Sequence, residues 1–132
     1  MRRLFKYGLV TTRGRQLLVV RERGTSKYIL PGGRPHRGES AENTLAREIG
    51  EELNASLKLD SIRHYGTFED VSANESSTII QISVFLGEVE GDLTPSSEIE
   101  EIAWIGSNHK LLLSPSIENK ILPTLVRDGI VL

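Results

Sequence analysis

Residues 33–55 read GRPHRGESAENTLAREIGEELNA, and this stretch determines how the rest of the chain can be organised. Each residue of an α-helix turns by about 100°, so a helix here would project Glu48, Glu51 and Glu52 from one narrow arc. Like charges at these spacings destabilise a helix by about a few tenths of a kcal/mol per pair. A divalent cation would turn that repulsion into coordination, because Mg²⁺ takes hard oxygen ligands. The stretch therefore predicts an acidic helix that binds a metal ion.

The same helix has a second face that is suited to the protein core. Leu45, Ile49 and Leu53 follow one another at intervals of four residues and form an apolar stripe beside the acidic one. Ser40 is a suitable N-cap, and Glu42 favours the first turn of the helix. A strand-like run and a pair of glycines come directly before it. The predicted order is strand, glycine loop and acidic helix.

The spacing of these residues resembles the signature of the Nudix hydrolases. That signature is a glycine, five residues, a glutamate, seven residues, Arg-Glu, an aliphatic residue, any residue, Glu-Glu, any residue, a glycine and an aliphatic residue. Two positions differ: Asn54 replaces the closing glycine, and Ala55 replaces the bulky aliphatic residue. The first change is mild, because Asn is the next-best residue for a left-handed helix cap. The positions in register are Gly33, Glu39, Arg47, Glu48, Ile49, Glu51 and Glu52.

The order of elements predicts a mixed α+β fold. Apolar and β-branched runs indicate strands, and the first two of them read as a β-hairpin. A second helix is expected over residues 115–126, with Pro123 as a point where it could kink. The resemblance implies the Nudix fold, an α/β/α sandwich around a mixed, partly antiparallel sheet. The predicted strands are residues 4–12, 16–22, 27–30, 56–71 (with one bulge or break), 78–88 and 101–105.

Composition limits the partners and the chemistry of the chain. Its 132 residues, 38% hydrophobic and 26% charged, fit one domain over residues 1–132. The net charge of −2 gives no basic footprint for a nucleic-acid polymer. Without cysteine, a disulfide framework and a Cys nucleophile are excluded. With no run of membrane-spanning length, we expect a cytoplasmic protein, and a homodimer stays open.

Candidate metal ligands follow from the acidic stripe. Glu48 and Glu52 are the expected principal ligands, and Glu51 is a further ligand, directly or through water. The resemblance implies that a carbonyl at Gly33 reaches the metal and that an acidic residue from a later segment acts as an extra ligand or as the base that activates water. Glu98 is our candidate for that residue, and the alternatives are an acidic surface turn there or a base among Glu69, Asp70 and Glu75.

Arginines provide the candidates for orientation and for substrate binding. A planar guanidinium can fix a carboxylate through two hydrogen bonds, so Arg47 is expected to orient the catalytic glutamates. The resemblance suggests Glu39 as its partner. Arg21 and Arg23 share one face at a strand end, where they either bind substrate phosphate or are simply solvated. Arg34 and Arg37 lie in the loop before the helix N-terminus, which favours phosphate contact.

Two functions of different classes remain open at this stage. The resemblance implies a Mg²⁺-dependent (or Mn²⁺-dependent) hydrolase that cleaves a phosphoanhydride bond in a nucleoside diphosphate linked to another group. The substrate would be a small molecule, such as a nucleoside triphosphate or a small nucleotide derivative. The alternative is a non-catalytic module that keeps the fold and senses nucleotides or binds a protein. The acidic residues favour the enzyme, because such a module would not need all three.

Overall fold

The fold is organised by its first strand, which lies inside a four-stranded mixed sheet. A computed structural model describes residues 1–132 of the chain. The elements are β1 (Arg2–Val10), β2 (Thr12–Arg13), β3 (Gln16–Glu22), β4 (Gly32–Gly33), α1 (Ala41–Leu53), β5 (Ser56–Leu57), a 3₁₀ turn (Leu59–Ser61), β6 (Arg63–Val71), β7 (Thr78–Leu86), β8 (Val89–Glu90), β9 (Ile99–Ile105), a π-helical turn (Ile117–Ile121) and α2 (Leu122–Arg127).

The sheet combines parallel and antiparallel pairs. Its strand order is β4-β1-β7-β6, in which β1 and β7 are parallel while β4 and β6 run antiparallel to their neighbours. A second sheet has the order β2-β3-β9, and β5 pairs with β8. Parallel strands need a crossover connection, and α1 lies within the segment that joins β1 to β7. The predicted mixed sheet is confirmed.

The predicted N-terminal hairpin is present, but it is much shorter than the sequence suggested. Only Thr12–Arg13 pairs with β3, through a turn in which Gly14 and Arg15 have φ of 56° and 58°. Positive φ at both central positions is the type I′ geometry of two-residue hairpins. The strand β1 instead joins the four-stranded sheet, because apolar residues specify that a strand is buried and not which strand it pairs with.

Residues 27–30 do not form the short strand that was predicted. They make two isolated bridges, between Ile29 and Val20 and between Tyr28 and Leu113. The segment therefore connects the second sheet to the chain that enters the C-terminal helix. Pro31 follows it, and without an N–H that residue cannot extend a ladder of hydrogen bonds.

Helix α1 begins and ends where the sequence predicts. The Ser40 hydroxyl accepts a hydrogen bond from the Asn43 N–H at 3.1 Å, which caps the first turn. Asn54 adopts the left-handed conformation with φ of 53° and donates its N–H to the Gly50 carbonyl. Full burial of each large apolar side chain contributes about 1.5–3 kcal/mol. The fully buried residues of the helix are Leu45, Ile49 and Leu53.

The C-terminal helix covers residues 115–127 and contains one wide turn. In that turn the Leu122 N–H donates to the carbonyl of Ile117, five residues earlier. Pro123 follows directly; it has no N–H to donate, and in a regular α-helix its ring would clash with the carbonyl of Asn119. The expected irregularity is therefore absorbed one turn before the proline.

Helices cover both faces of the strands. Successive strand residues alternate between two apolar clusters, so that Leu9 packs under α1 and Val10 packs under the C-terminal helix. The predicted layering of helix, sheet and helix is confirmed by this arrangement. No helix of the structure has both the length and the apolar character that crossing a membrane requires.

Candidate active site

Three glutamates form a cluster at the edge of α1. One carboxylate oxygen each of Glu48, Glu52 and Glu98 lies within 4.8 Å of the others, and we call this group the carboxylate cluster. Glu48 and Glu52 are one helical turn apart, while Glu98 comes from the loop before β9. Oxygen donors at this spacing are the ligands that Mg²⁺ and similar cations prefer, so the residues present fit a divalent metal ion.

The loop that carries Glu98 is tied to both halves of the fold. The Glu98 carbonyl accepts the Arg23 N–H at 2.8 Å, and the Ser97 carbonyl accepts a hydrogen bond from the Arg23 guanidinium at 3.1 Å. The Ser96 N–H donates to the backbone carbonyl of Glu52 at 2.9 Å. These contacts bring a residue distant in sequence beside α1, and they engage the guanidinium that the sequence suggested for substrate binding.

Glu52 is the buried member of the carboxylate cluster. Its residue is only 3% exposed, and one carboxylate oxygen accepts the Gly32 N–H at 3.0 Å. Burial raises the pKa of Glu52 to about 9; the Gly32 N–H and Lys6 oppose this rise, and the negative charges of Glu48 and Glu98 add to it. The arrangement therefore favours either a proton or a cation at this carboxylate, and binding a cation would release the proton.

The glycine pair of β4 lies directly against the carboxylate cluster. A Cβ atom on Gly33 would lie 2.6 Å from the carboxyl carbon of Glu48, and one on Gly32 would lie 2.2 Å from the Tyr7 carbonyl oxygen. Gly32 also has a φ of 140°, which side chains rarely tolerate. Gly32 therefore requires glycine, and a side chain at Gly33 would displace the Glu48 carboxylate, against which the backbone of Gly33 lies.

Arg47 orients two glutamates at once. Its Nε and Nη2 atoms each donate to a different oxygen of Glu39 at 2.9 Å, and its Nη1 atom donates to Glu48 at 2.7 Å. Glu39 also accepts hydrogen bonds from the His36 N–H and the Thr44 hydroxyl. Arg47 therefore lies where the sequence suggested, with Glu39 as its partner.

The pKa values of the two glutamates hydrogen-bonded to Arg47, Glu39 and Glu48, shift in opposite directions. The hydrogen bonds from Arg47, followed by that from the His36 N–H, lower the pKa of Glu39 to about 2. Burial raises the pKa of Glu48, although the ion pair with Arg47 opposes the rise. The surroundings of Glu39 thus stabilise its charged form, which holds Arg47. Those of Glu48 disfavour its charged form, which a bound cation would stabilise.

Glu51 lies outside the carboxylate cluster. Its side chain is 52% exposed, and one oxygen is 3.6 Å from Nη1 of Arg47. Relative to Glu48, position i+4 is rotated by about 40° and position i+3 by about 60° in the other direction. Glu52 therefore turns inward, and Glu51 turns towards solvent. Glu51, predicted from the sequence as a further ligand directly or through water, is thus the most exposed of the three glutamates.

The remaining predicted substrate arginines differ in how they are engaged. The Arg21 guanidinium donates to the Thr25 carbonyl at 2.8 Å and to the carboxylates of Glu100 and Glu101 at 2.7 and 2.5 Å, so hydrogen bonds account for three of its five N–H donors. Arg34 accepts from Arg47 through its carbonyl at 3.2 Å, and it lines a cavity. Arg37 is exposed and has no hydrogen bond or ion pair.

The other acidic candidates have partners elsewhere. Glu69 accepts hydrogen bonds from Arg3 and Gln81, Asp70 accepts one from Asn119, and Glu75 accepts one from the Thr78 hydroxyl. None of the three belongs to the carboxylate cluster. Among the later acidic residues that the sequence offered as candidates, Glu98 is the one that lies in the carboxylate cluster.

A cavity of about 190 Å³, which we call the side cavity, adjoins this region. Sequence reasoning missed two of its features, the charged side chain of Lys6 and the hydroxyls of Ser114 and Ser116. The signal for Lys6 was present, because it is a charge in a strand position whose alternate neighbours are apolar. The residues that line the side cavity include Lys6, Glu22, Arg34, Leu30, Ile82 and Ile117, together with Ser114 and Ser116.

Comparisons with solved structures agree on the fold. A MutT NUDIX hydrolase from Burkholderia pseudomallei has a TM-score of 0.75 at 17% identity, over 96% of this chain and 98% of that one. A MutT protein from Methanosarcina mazei has 0.74 at 20%, over 97% and 96%. A UDP-X diphosphatase has 0.68 at 18%, over 98% of this chain and 64% of the other. At these identities the likeness shows a shared fold.

Sequence comparison supplies the family. No curated protein sequence matches the chain. The NUDIX domain, however, matches residues 5–123, which is most of the chain and includes every residue of the carboxylate cluster. On this match, and with the fold and the acidic helix described above, the chain belongs to the NUDIX family of pyrophosphohydrolases.

Proposed function

We propose that this chain, acting as one domain over residues 1–132, is a metal-dependent hydrolase of a nucleoside diphosphate linked to another group. The bond cleaved would be a phosphoanhydride, attacked by water. The observation that carries the proposal is the carboxylate cluster, in which Glu98 joins two glutamates of α1 beside the glycine pair of β4.

Residues of the cluster take distinct roles in this proposal. Glu48, Glu52 and Glu98 would hold the cation, with a contribution from the Gly33 carbonyl. A cation held here would neutralise phosphate charge and lower the pKa of a bound water. We propose Mg²⁺, with Mn²⁺ as a substitute, because both accept oxygen ligands.

Two residues beside the cluster would assist. Arg47 keeps Glu48 in place through its 2.7 Å hydrogen bond, so its role is to position a ligand. Glu51 is exposed and 3.6 Å from the same guanidinium, and we propose that it accepts the proton that the attacking water gives up. An exposed carboxylate can exchange that proton with solvent directly.

Small nucleotides are the substrate class that the family supports. One structural neighbour carries the name UDP-X diphosphatase, and two others are MutT proteins. We therefore propose a nucleoside triphosphate or a small nucleotide derivative as the substrate. Arg21, Arg23, Arg34 and Arg37 are the candidates for its outer phosphates. Arg34 lines the side cavity and Arg37 has no hydrogen bond or ion pair, while the guanidinium groups of Arg21 and Arg23 keep N–H donors beyond those in their hydrogen bonds within the protein.

The test is a screen of nucleotides with and without Mg²⁺, followed by Glu52→Gln. The glutamine amide oxygen can still accept the Gly32 N–H, so the fold should survive while a ligand oxygen with charge is lost. We expect kcat to fall by at least about 100-fold, since a metal ion contributes several kcal/mol of transition-state stabilisation.

Glu42→Gln is the matched control, because Glu42 is an exposed residue of the same helix with no role in the cluster. Its activity should equal that of the wild type. Full activity in Glu52→Gln would overturn the assignment. Nucleotide binding by the wild type without any product would indicate the non-catalytic sensing module instead.

A further inference from the structure

Lys6 is a charged residue in a position that the strand pattern reserves for the core. It lies in β1 on the face shared by Leu4, Gly8 and Val10, the last two of which are buried. Its own residue is partly buried. Its ammonium group makes no hydrogen bond and no ion pair within 4.0 Å. A partly buried cation without a partner is costly, so its retention calls for a reason.

The charges that face Lys6 come from two elements, β3 and α1. Glu22 at the end of β3, and Glu52 and Glu48 of α1, each raise its pKa, while burial is the larger influence and lowers it. None of the three carboxylates is within ion-pair distance of the ammonium group. Lys6 therefore lies near the carboxylate cluster without being tied to it, and its three N–H donors stay free for a ligand.

Lys6 also lines the side cavity, together with Glu22 and Arg34. Apolar side chains also line the cavity, among them Leu30, Ile82 and Ile117. A cavity with both charged and apolar walls suits a molecule that combines the two characters.

Two hydroxyl groups also line the cavity. Ser114 and Ser116 are each 6% exposed, and their hydroxyl oxygens lie 3.4 Å apart. A hydroxyl can donate to one group and accept from another, so this pair can serve a heterocycle with either kind of edge. The volume of about 190 Å³ is well below the range of about 300–1,000 Å³ for pockets that enclose a whole drug-sized ligand.

We propose that Lys6 binds the phosphate that joins a flat, largely apolar group in the side cavity to the bond at the carboxylate cluster. This inference rests on the proposed function, because it assumes that a diphosphate spans the cluster. Lys6 would contact a non-bridging phosphate oxygen and so fix which phosphate faces the cavity. It is thus a substrate-binding residue that sets the register of the diphosphate.

The competing explanation is that Lys6 only balances the negative charge of the cluster. The two roles differ in what they predict for binding. A counter-charge competes with the metal ion, so its removal strengthens Mg²⁺ binding and leaves a phosphate ligand unaffected. A phosphate-binding residue contributes to the ligand, so its removal weakens that ligand and leaves Mg²⁺ nearly unchanged.

The experiment uses Lys6→Met, which keeps the length of the side chain and removes its charge. The probe is methylenediphosphonate, a diphosphate analogue that cannot be hydrolysed, titrated calorimetrically in the presence of Mg²⁺. We expect Lys6→Met to bind it about tenfold or more weakly, the size of one hydrogen bond to a charged group. Mg²⁺ alone should bind as to the wild type. Lys6→Arg, which retains the charge, should recover most of the affinity.

Arg63→Met is the matched control, because Arg63 is an exposed cation at the start of β6 that takes part in no ion pair. Its affinity should be unchanged. Thermal unfolding checks that each variant is folded, and Lys6→Gln gives a second neutral variant for the same comparison.

Two results would overturn the inference: wild-type affinity for the diphosphonate in both neutral variants, or no Mg²⁺-dependent binding by the wild type. The outcome is separable from that of the proposed function. Binding that depends on Lys6, without turnover of any nucleotide, would sustain this inference and end the proposal of a hydrolase.

Discussion

Arg47 and Glu39 form a bidentate pair across the loop that enters α1, with both N···O distances at 2.9 Å. The pair locks the guanidinium in a plane, and the remaining nitrogen reaches Glu48. Glu39 in the loop thus fixes the orientation of Glu48 in the carboxylate cluster through Arg47, without a hydrogen bond between the two glutamates.

Glu39 should make stability depend on acid pH. Its folded-state pKa of about 2 is below the ordinary value of 4.5, so its contribution to the free energy of unfolding is complete above pH 4.5. That contribution is lost as the pH falls from about 4.5 to about 2. Urea unfolding of the wild type and Glu39→Gln at several pH values will measure it.

The difference in stability between the two proteins should shrink through this acid window. Glu42→Gln provides the control, since the exposed Glu42 carboxylate makes no hydrogen bond and no ion pair. A difference between wild type and Glu39→Gln that is constant from about pH 6 to about pH 3 would contradict the assignment.

Gly33→Ala should separate activity from folding. The new methyl group would lie 2.6 Å from the carboxyl carbon of Glu48, so the carboxylate must move away from the cluster. We expect kcat to fall by at least about tenfold, and overpacking to cost about 1–3 kcal/mol of stability. Turnover with Mg²⁺ and thermal unfolding measure the two effects.

Gly50→Ala is the matched control for this substitution. Gly50 lies in the same helix as Glu48, and the nearest atom to a Cβ there, apart from the backbone of the helix itself, would be the Ala55 carbonyl oxygen at 4.0 Å. Alanine should stabilise the helix by about 0.5–1 kcal/mol and leave turnover unchanged. Equal activity in Gly33→Ala and the wild type would show that Gly33 does not control the position of Glu48.

Glu98→Gln should weaken metal binding more than it affects the fold. The carboxylate belongs to the cluster, whereas the loop itself is held by backbone contacts with Arg23 and Glu52 that the substitution leaves intact. We expect Mg²⁺ affinity to fall by about 10- to 100-fold, with the midpoint of thermal unfolding nearly unchanged.

Isothermal titration of Mg²⁺ gives the affinity, and Glu42→Gln again serves as the reference. A Glu98→Gln protein that binds Mg²⁺ as tightly as the wild type would remove Glu98 from the ligand set. The cluster would then consist of the two glutamates of α1.

Local rules account for the parts of the site that lie within one segment. The N-cap at Ser40, the left-handed residue Asn54 and the inward stripe of α1 all depend on near neighbours, so the sequence predicts them. The pairing of Arg47 with Glu39 came from the family resemblance, and the structure shows it. The different burial of Glu51 and Glu52 also follows from helix spacing, because Glu52 lies about 60° and Glu51 about 160° from the centre of the apolar stripe.

Long-range placement could not be predicted in the same way. The pairing partner of β1 depends on strands that are far away in sequence, and apolar patterning is the same for any of them. Glu98 was one of several acidic candidates until its loop was placed beside α1. The side cavity, which Lys6 lines, is formed by residues of β1 and of the C-terminal helix, which are far apart in the sequence.

The parallel pairing of β1 with β7 has a consequence for how the protein reaches its native state. Residues 2–10 leave the ribosome well before residues 78–86, the strand with which they pair in parallel. Until β7 has been synthesised, β1 has only its short pairing with β4 available, and closing so long a loop slows folding. During translation, the edge of β1 that later meets β7 is therefore open to misassociation and to chaperones.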